Sequence, residues 1–368
     1  MTKVSLTSSA GPAPSRYRPD ENRAPMPLSR RLRSVMPFVA LVTAVALTAC
    51  SSAPADQEDA GGTSGPEDGS FPVTIDHAYG TTTIESEPKK IVTLGLSDQD
   101  PLLALGVAPI AVAPWWGDYD YATWPWAQDE LGDAKPTVLN GGERNDDHPP
   151  VEEIAELEPD LIISLYNGTT EEQYQQLSEI APVVVPDKEY TNFSITWQEA
   201  TRATGEALGR EDEALDLVDD LEKSFADAAS DHPEFKGKKA VVAERFDAGE
   251  SVVRTGNDVR AQFFSQLGFD VPKSIAEFEP NDAGEVYVPD ERIDELSKDL
   301  LVWNAGFSPD AKKTVEGLGL YRDLPVVTDD HVLWVEDEVL SGAFSWGTIL
   351  SLQYALDEMV PQIAKTVE

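Results

Sequence analysis

Between Arg210 and His232 the chain runs REDEALDLVDDLEKSFADAASDH, and this stretch constrains the fold more than any other. Its apolar residues Leu215, Val218, Leu221 and Phe225 recur at three- and four-residue steps, the period of an amphipathic helix. Gly209 can close a preceding helix, and Pro233 forbids continuation. At ~1.5 Å per residue such a helix reaches roughly 30 Å, about the width of a small domain. On both sides lie blocks of short apolar strands alternating with helices. A rigid rod between two α/β blocks predicts two lobes with a cleft. Periodicity alone fits equally well a crossover helix inside one large domain.

The first block, residues 71–209, opens with FPVTIDHAYGTTTIES, which alternates around Tyr79-Gly80 as a β-hairpin does. Strands are expected at 91–96, 109–113, 161–166 and 182–186, and helices at 100–107, 151–160, 171–180 and 195–208. The second block, residues 233–368, repeats the grammar. Strands are expected at 238–246 and 299–305, with one or two more in 325–335. Helices are expected at 258–269 and 290–297, and a last one closes the chain. Apolar strands alternating with helices predict a parallel sheet in each lobe, Rossmann-like in build.

Ahead of the lobes, residues 1–25 are polar and Pro-rich, with no apolar period, so no fold is expected there. Met26 opens a basic segment with Arg30, Arg31 and Arg33, followed by the apolar run VMPFVALVTAVALTA. That run has the length of a signal-peptide core and is short for a membrane span. It leaves two candidate starts, Met1 and Met26. The run ends in Leu47-Thr48-Ala49-Cys50, followed by the polar stretch SSAPADQEDAGGTSGPEDGS. This looks like a bacterial lipobox, in which the cysteine is lipidated and becomes the first residue of the mature chain. Cys50 is the only cysteine, so no internal disulfide can form. The expected organisation is extension and signal peptide over 1–49, lipid-anchored linker over 50–70, the first lobe over 71–209, the spine over 210–232 and the second lobe over 233–368. The protein is then held to the extracytoplasmic face of the cell membrane by its lipid.

Residues 1–50 hold seven Lys/Arg and two Asp/Glu, so the remaining 318 carry 21 basic and 65 acidic side chains, a balance of −44. So acidic a surface makes nucleic acid and anionic membranes poor partners.

The phrases KKIVTLGLSDQDPLLALGVAPIAVA, VEEIAELEPDLIIS, LGREDEA, AQFFSQLGFDVP and the closing LPVV–DHVLWV–helix arrangement carry a family likeness in their order and spacing. The chain resembles the lipoprotein substrate-binding components of ABC importers for ferric siderophores and vitamin B12, over about residues 85–365. The resemblance implies two lobes that close slightly about one rigid helix. It further implies a monomer that captures a ferric siderophore and delivers it to a permease with a cytoplasmic ATPase, with no resident cofactor and no catalysis. Haem or vitamin B12 is the alternative ligand, and a lipoprotein glycoside hydrolase the distant alternative function.

Ligands of open α/β sheets sit outside the carboxyl ends of the strands. The loops there hold Trp115, Trp116, Tyr119 and Tyr121, then Tyr166, and later Phe307, Phe344 and Trp346. Aromatic walls suit a bulky, partly planar and partly apolar ligand. Trp124 and Trp126, flanking Pro125, fit either a cleft wall or the core of their own lobe. Arg144, just before a helix, is the position at which hydroxamate-siderophore binders that resemble this chain contact the iron-coordinating oxygens. A guanidinium donates to several such oxygens at once, and Arg245 and Arg254 are candidates for the same role from the second lobe. No dense basic cluster for a tris-catecholate is present, which favours a hydroxamate or mixed ligand. The resemblance also implies that Glu152 and Glu291, at the starts of matching helices, pair with arginines of the two permease subunits; a helix dipole would favour acids there in any case.

A bare Zn or Mn site needs several converging His and carboxylates, and His77, His148, His232 and His331 lie in four unrelated regions. Haem needs only one axial ligand, which His148 or Tyr166 would supply. No Gly-rich phosphate loop, HExxH or G-x-S-x-G motif occurs.

Overall fold

The structure is a computed structural model and describes residues 71–143, 149–190, 193–246, 248–256, 258–281 and 284–368. The expected signal peptide and linker, with Cys50, and also Arg144 and His148, lie outside the described residues.

The hairpin forms as expected: β1 (Val73–His77) pairs antiparallel with β2 (Gly80–Ile84), and Val73, Ile75 and His77 alternate inward. Next come β3 (Ile91–Thr93), α1 (Gln99–Ala104), β4 (Ala111–Val112), α2 (Gln128–Leu131), β5 (Thr137–Val138), α3 (Val151–Glu156), β6 (Leu161–Ile163), α4 (Glu171–Ser178) and β7 (Val183–Val184). The five strands β3 to β7 make one all-parallel sheet in the order β5-β4-β3-β6-β7. Ile91, Val92, Leu161, Ile162 and Ile163 are buried, as strands covered on both faces must be. The order reverses between β3 and β6, leaving a crevice at their carboxyl ends.

Then α5 (Trp197–Ala207) leads through Gly209, at positive φ, into α6 (Glu211–Asp231), the spine. Gly205 lets the two helices cross closely, because a Cβ there would collide with Ala214. The buried stripe of α6 is Ala214, Val218, Leu221 and Phe225; Leu215 is 40% exposed and lies off the stripe. Ala214 joins the core of the first lobe, while Phe225 meets Phe263 of the second edge-on at 5.3 Å.

The second lobe comprises β8 (Ala240–Glu244), β9 (Glu250–Arg254), α7 (Val259–Gln266), β10 (Glu285–Pro289), β11 (Leu300–Asn304), α8 (Ala311–Glu316), α9 (Pro325–Thr328), β12 (Val332–Val335), α10 (Glu338–Trp346) and α11 (Ile349–Val367). Its sheet, β10-β9-β8-β11-β12, is mixed rather than purely parallel, because β9 runs against both β8 and β10. Here too the order reverses at the first strand, between β8 and β11.

Three local expectations change. Residues 290–297, read as a helix, form a kinked 3-10 segment over Asp290–Leu296. PVVT is the helical turn α9, with Pro325 in its first position, where a missing N–H costs nothing. Residues 341–346, read as a loop, belong to α10, which Gly347 ends in a left-handed conformation before Thr348 caps α11. α11 then packs on α6 and touches α1, bracing both lobes beside the spine.

Candidate functional site

The first lobe builds its crevice from the ends of β3, β4 and β6. After β3, the buried Asp98 carboxylate accepts the N–H groups of Gly95 at 2.8 Å and of Leu165 and Tyr166 at 2.9 Å each. One side chain thus ties the ends of β3 and β6 together and fixes the Tyr166 loop. Gly95 is required, since a Cβ there would overlap that carboxylate. Burial pushes the Asp98 carboxyl up to about 6, against the backbone hydrogen bonds that favour its charge. Asp100, two residues on, also rises to about 6 through burial, although it accepts from Trp126 Nε1 at 2.8 Å and from Thr348 Oγ1 at 2.5 Å. The Thr348 bond links α1 of the first lobe to the cap of α11.

The aromatic loop after β4 divides in two. Trp115, Trp124 and Trp126 are core residues: Trp115 donates to the Ala122 carbonyl at 2.8 Å, and Trp124 stacks on Trp126 at 4.8 Å. Tyr119 packs on Trp124 at 4.6 Å, and Tyr121 takes φ +58° and lies half-buried against the same core. Trp116 remains 44% exposed and stacks on Trp346 of the second lobe, centroids 5.3 Å apart and planes 26° apart. Phe307, partly open, lies 6.0 Å from Trp346 and 6.3 Å from Trp124. Residues from the strand ends of both lobes therefore meet in one aromatic cluster.

Beside it, the second lobe has a buried polar floor. Glu244, ending β8, accepts from Arg254 Nε at 2.6 Å, Arg260 Nη1 at 3.0 Å and Asn304 Nδ2 at 2.9 Å. Asn304, ending β11, also donates to Ser345 at 2.9 Å and accepts from Ser341 at 2.5 Å, which anchors α10 and with it Trp346. Arg260 is further held by both Asp258 oxygens. Burial opposes its charge, but Glu244 and Asp258 outweigh that and keep it protonated. Tyr166 reaches this group from the opposite lobe: its hydroxyl is pushed up by burial, with the Arg260 charge acting on it the other way.

Of the remaining expected residues, Arg245 is buried, its guanidinium on Asp290 at 2.5 and 3.0 Å, and Arg254 is buried on Glu244 and Glu285. Both forks are occupied by carboxylates rather than open to a ligand, because isolated buried guanidinium groups are costly. Phe344 is wholly buried, edge-on to Phe263 and Phe264, since it lies on the inner face of α10. Glu152 and Glu291 are exposed, the first in the opening turn of α3 and the second in the 290–296 turn. Both turns follow the carboxyl ends of outer strands. Glu153 accepts the Asn140 N–H at 2.9 Å and is engaged locally.

Sequence reasoning passed over Asp98, Arg260 and Asn304, whose partners lie up to 68 residues away. It also passed over two rings at the strand ends, Phe193 and Phe246, exposed by 43% and 55%. A single aromatic directly after the apolar run AVVAER was the available signal for Phe246. Among the described residues no group of three or more His, Cys, Asp or Glu could hold a metal, and no helix is long and apolar enough to cross a membrane.

The family model described as periplasmic binding protein matches residues 91–337. The probable siderophore-binding lipoprotein YfiY of Bacillus subtilis (strain 168) is 30% identical over 343 residues, covering 90% of this chain and 98% of that protein. The crystal structure of a periplasmic solute binding protein from Mycobacterium smegmatis str. MC2 155 superposes with a TM-score of 0.71 at 32% identity, over 80% of this chain and 99% of that one. Staphylococcus aureus SirA complexed with staphyloferrin B gives 0.60 at 26% identity, over 79% and 98%.

Proposed function

The chain belongs to the periplasmic binding protein family, and on that premise we propose that it captures a ferric siderophore in the cleft and delivers it to an ABC importer. The observation that carries the reading is the aromatic cluster shared by the lobes, with Trp116 stacked on Trp346 and Phe307 beside them. It lies at the carboxyl ends of both sheets, where such folds bind ligands. YfiY is named as a probable siderophore-binding lipoprotein, which supports the ligand class. A hydroxamate or mixed ligand is favoured, because six of the seven described arginines already pair with carboxylates. Among the described residues little unpaired guanidinium charge is left for a highly anionic tris-catecholate.

Arg144, outside the described residues, is the cation assigned to the iron-coordinating oxygens, with Trp116 and Tyr166 of the first lobe and Phe307 and Trp346 of the second as the ligand's aromatic walls. Cys50 carries the lipid that keeps the protein on the extracytoplasmic face, and Glu152 and Glu291 meet the permease. Tryptophan fluorescence titrated with a ferric trihydroxamate tests the site. Arg144→Ala removes a charge-assisted contact worth about 1.5–3 kcal/mol, so affinity should fall roughly ten- to a hundredfold at unchanged melting temperature. An unaltered dissociation constant would remove Arg144 from the site.

A further inference from the structure

The hairpin that opens the first lobe holds a buried histidine whose proton is placed by its neighbours. His77 ends β1 and points inward. Its Nδ1 accepts the Tyr79 N–H at 3.2 Å, so that nitrogen carries no proton. Its Nε2 lies 2.9 Å from Thr82 Oγ1, and the Thr82 hydroxyl gives its own hydrogen to the Val183 carbonyl at 2.7 Å. The remaining bond therefore runs from Nε2–H to Thr82 Oγ1, and the ring is the neutral Nε2–H tautomer. A second proton can go only to Nδ1, where its hydrogen would meet that of the Tyr79 N–H. The imidazolium and this turn exclude each other.

The groups packed around the ring leave it neutral. Tyr174 of α4 lies edge-on at 4.9 Å. Burial lowers the His77 pKa below its ordinary value, against Asp76 on the same strand and Asp187 beyond β7, which favour the charged form. Both carboxylates are engaged elsewhere: Asp76 accepts the Thr81 hydroxyl at 2.8 Å, and Asp187 the Glu189 N–H at 3.1 Å.

Tyr79 carries the effect out of the hairpin. Its hydroxyl donates to the Thr169 carbonyl at 2.7 Å. Thr169 belongs to the loop after β6: its N–H donates to Asn167 Oδ1 at 3.0 Å, and its hydroxyl shares a 2.8 Å hydrogen bond with Ser164. That loop carries Tyr166 toward the second lobe. Asp98 holds its first half through Leu165 and Tyr166, and the hairpin holds its second half through Thr169.

We propose that His77 is a proton-sensitive catch on the cleft. While neutral it fixes the turn, and Tyr79 fastens the Tyr166 loop; when protonated it frees the turn, and ligand capture weakens. The catch rests on the siderophore reading for its ligand, though not for its hydrogen bonds. By reciprocity, a ligand that needs the loop in place opposes protonation of His77, so acid and ligand compete without sharing a site.

Tryptophan fluorescence titrations of wild type, His77→Asn and Tyr79→Phe with an uncharged ferric trihydroxamate, at about pH 7.5 and about pH 5, test it. Asparagine offers Tyr79 an acceptor that takes no proton; Tyr79→Phe leaves His77 free to titrate but cuts the link to Thr169. Wild-type affinity should fall on acidification roughly three- to tenfold more than that of either variant, the worth of about one hydrogen bond. Any effect of Asp98 on the same loop is common to all three proteins and cancels in the comparison. Equal pH profiles in wild type and Tyr79→Phe would overturn the catch and leave siderophore capture standing. Failure of the trihydroxamate to bind wild type at either pH would overturn the siderophore reading instead. Amide exchange of Thr169, corrected for its intrinsic pH dependence, judges the catch without ligand. Its protection should fall on acidification in wild type and in neither variant; constant protection in wild type would overturn the catch whatever the ligand.

Discussion

Asp98 and Asp100 show how one side-chain type serves two purposes at the cleft. Each is buried and each rises to about 6, Asp98 while aligning the Tyr166 loop and Asp100 while bonding across to Thr348. A folded-state value above the ordinary carboxylate pKa means that folding penalises the ionised form. The penalty is fully present well above the folded value of about 6 and is lost as pH falls through it toward and below the ordinary carboxylate range, where both states become protonated. Lowering pH from about 7.5 to about 5 should therefore raise the melting temperature, and Asp100→Asn should shrink that rise; an equal rise in the variant would show that Asp100 is not responsible. Pairings of this kind were hidden in the sequence. Arg245 and Arg254 look like free cations until the fold brings Asp290, Glu244 and Glu285 against them, from 10 to 45 residues away. The concentration of rings after β4 was legible, but not which of them would turn inward, since Trp115 and Trp116 are neighbours with opposite fates.

The same contrast holds among elements. The three- and four-residue spacing disclosed α6, because a helix packed along one side must repeat its apolar residues at that period. Phe225 ends its buried stripe and meets Phe263 edge-on. Phe225→Ala should cost about 3–5 kcal/mol in urea denaturation, whereas Leu215→Ala, off the stripe, should stay within about 0.5. Similar losses for the two would mean that the stripe is misassigned. Direction within a sheet has no such local signature: β9 alone runs against its neighbours, because a tight turn joins it to β8, while β10 runs parallel to β8. The α10–α11 break depended on the left-handed Gly347, and missing it put Phe344 into a loop that does not exist.

Over the whole molecule, two α/β lobes, a spine and a facing pair of strand-end surfaces were legible, because alternation and order carry long-range information even at low local certainty. The detail of the cleft was not, because it depends on contacts between the lobes. A formal charge of −39 makes the attraction of this protein to any positively charged partner surface long-ranged and salt-sensitive. Glu152 and Glu291 are exposed, each in a turn that follows an outer strand of its lobe, and their proposed contact with the permease belongs to this scale. The double substitution Glu152→Ala, Glu291→Ala should leave siderophore affinity intact and abolish uptake of the iron complex by cells. Normal uptake would leave both as helix-start acids. The central claim, that a ferric siderophore is held between the lobes, is tested most directly by the anomalous scattering of iron in crystals grown with a ferric trihydroxamate. We expect one iron peak in the cleft, flanked by Trp116 and Trp346 on one side and Tyr166 on the other. A peak outside the cleft, or none in crystals that contain the complex, would contradict the account.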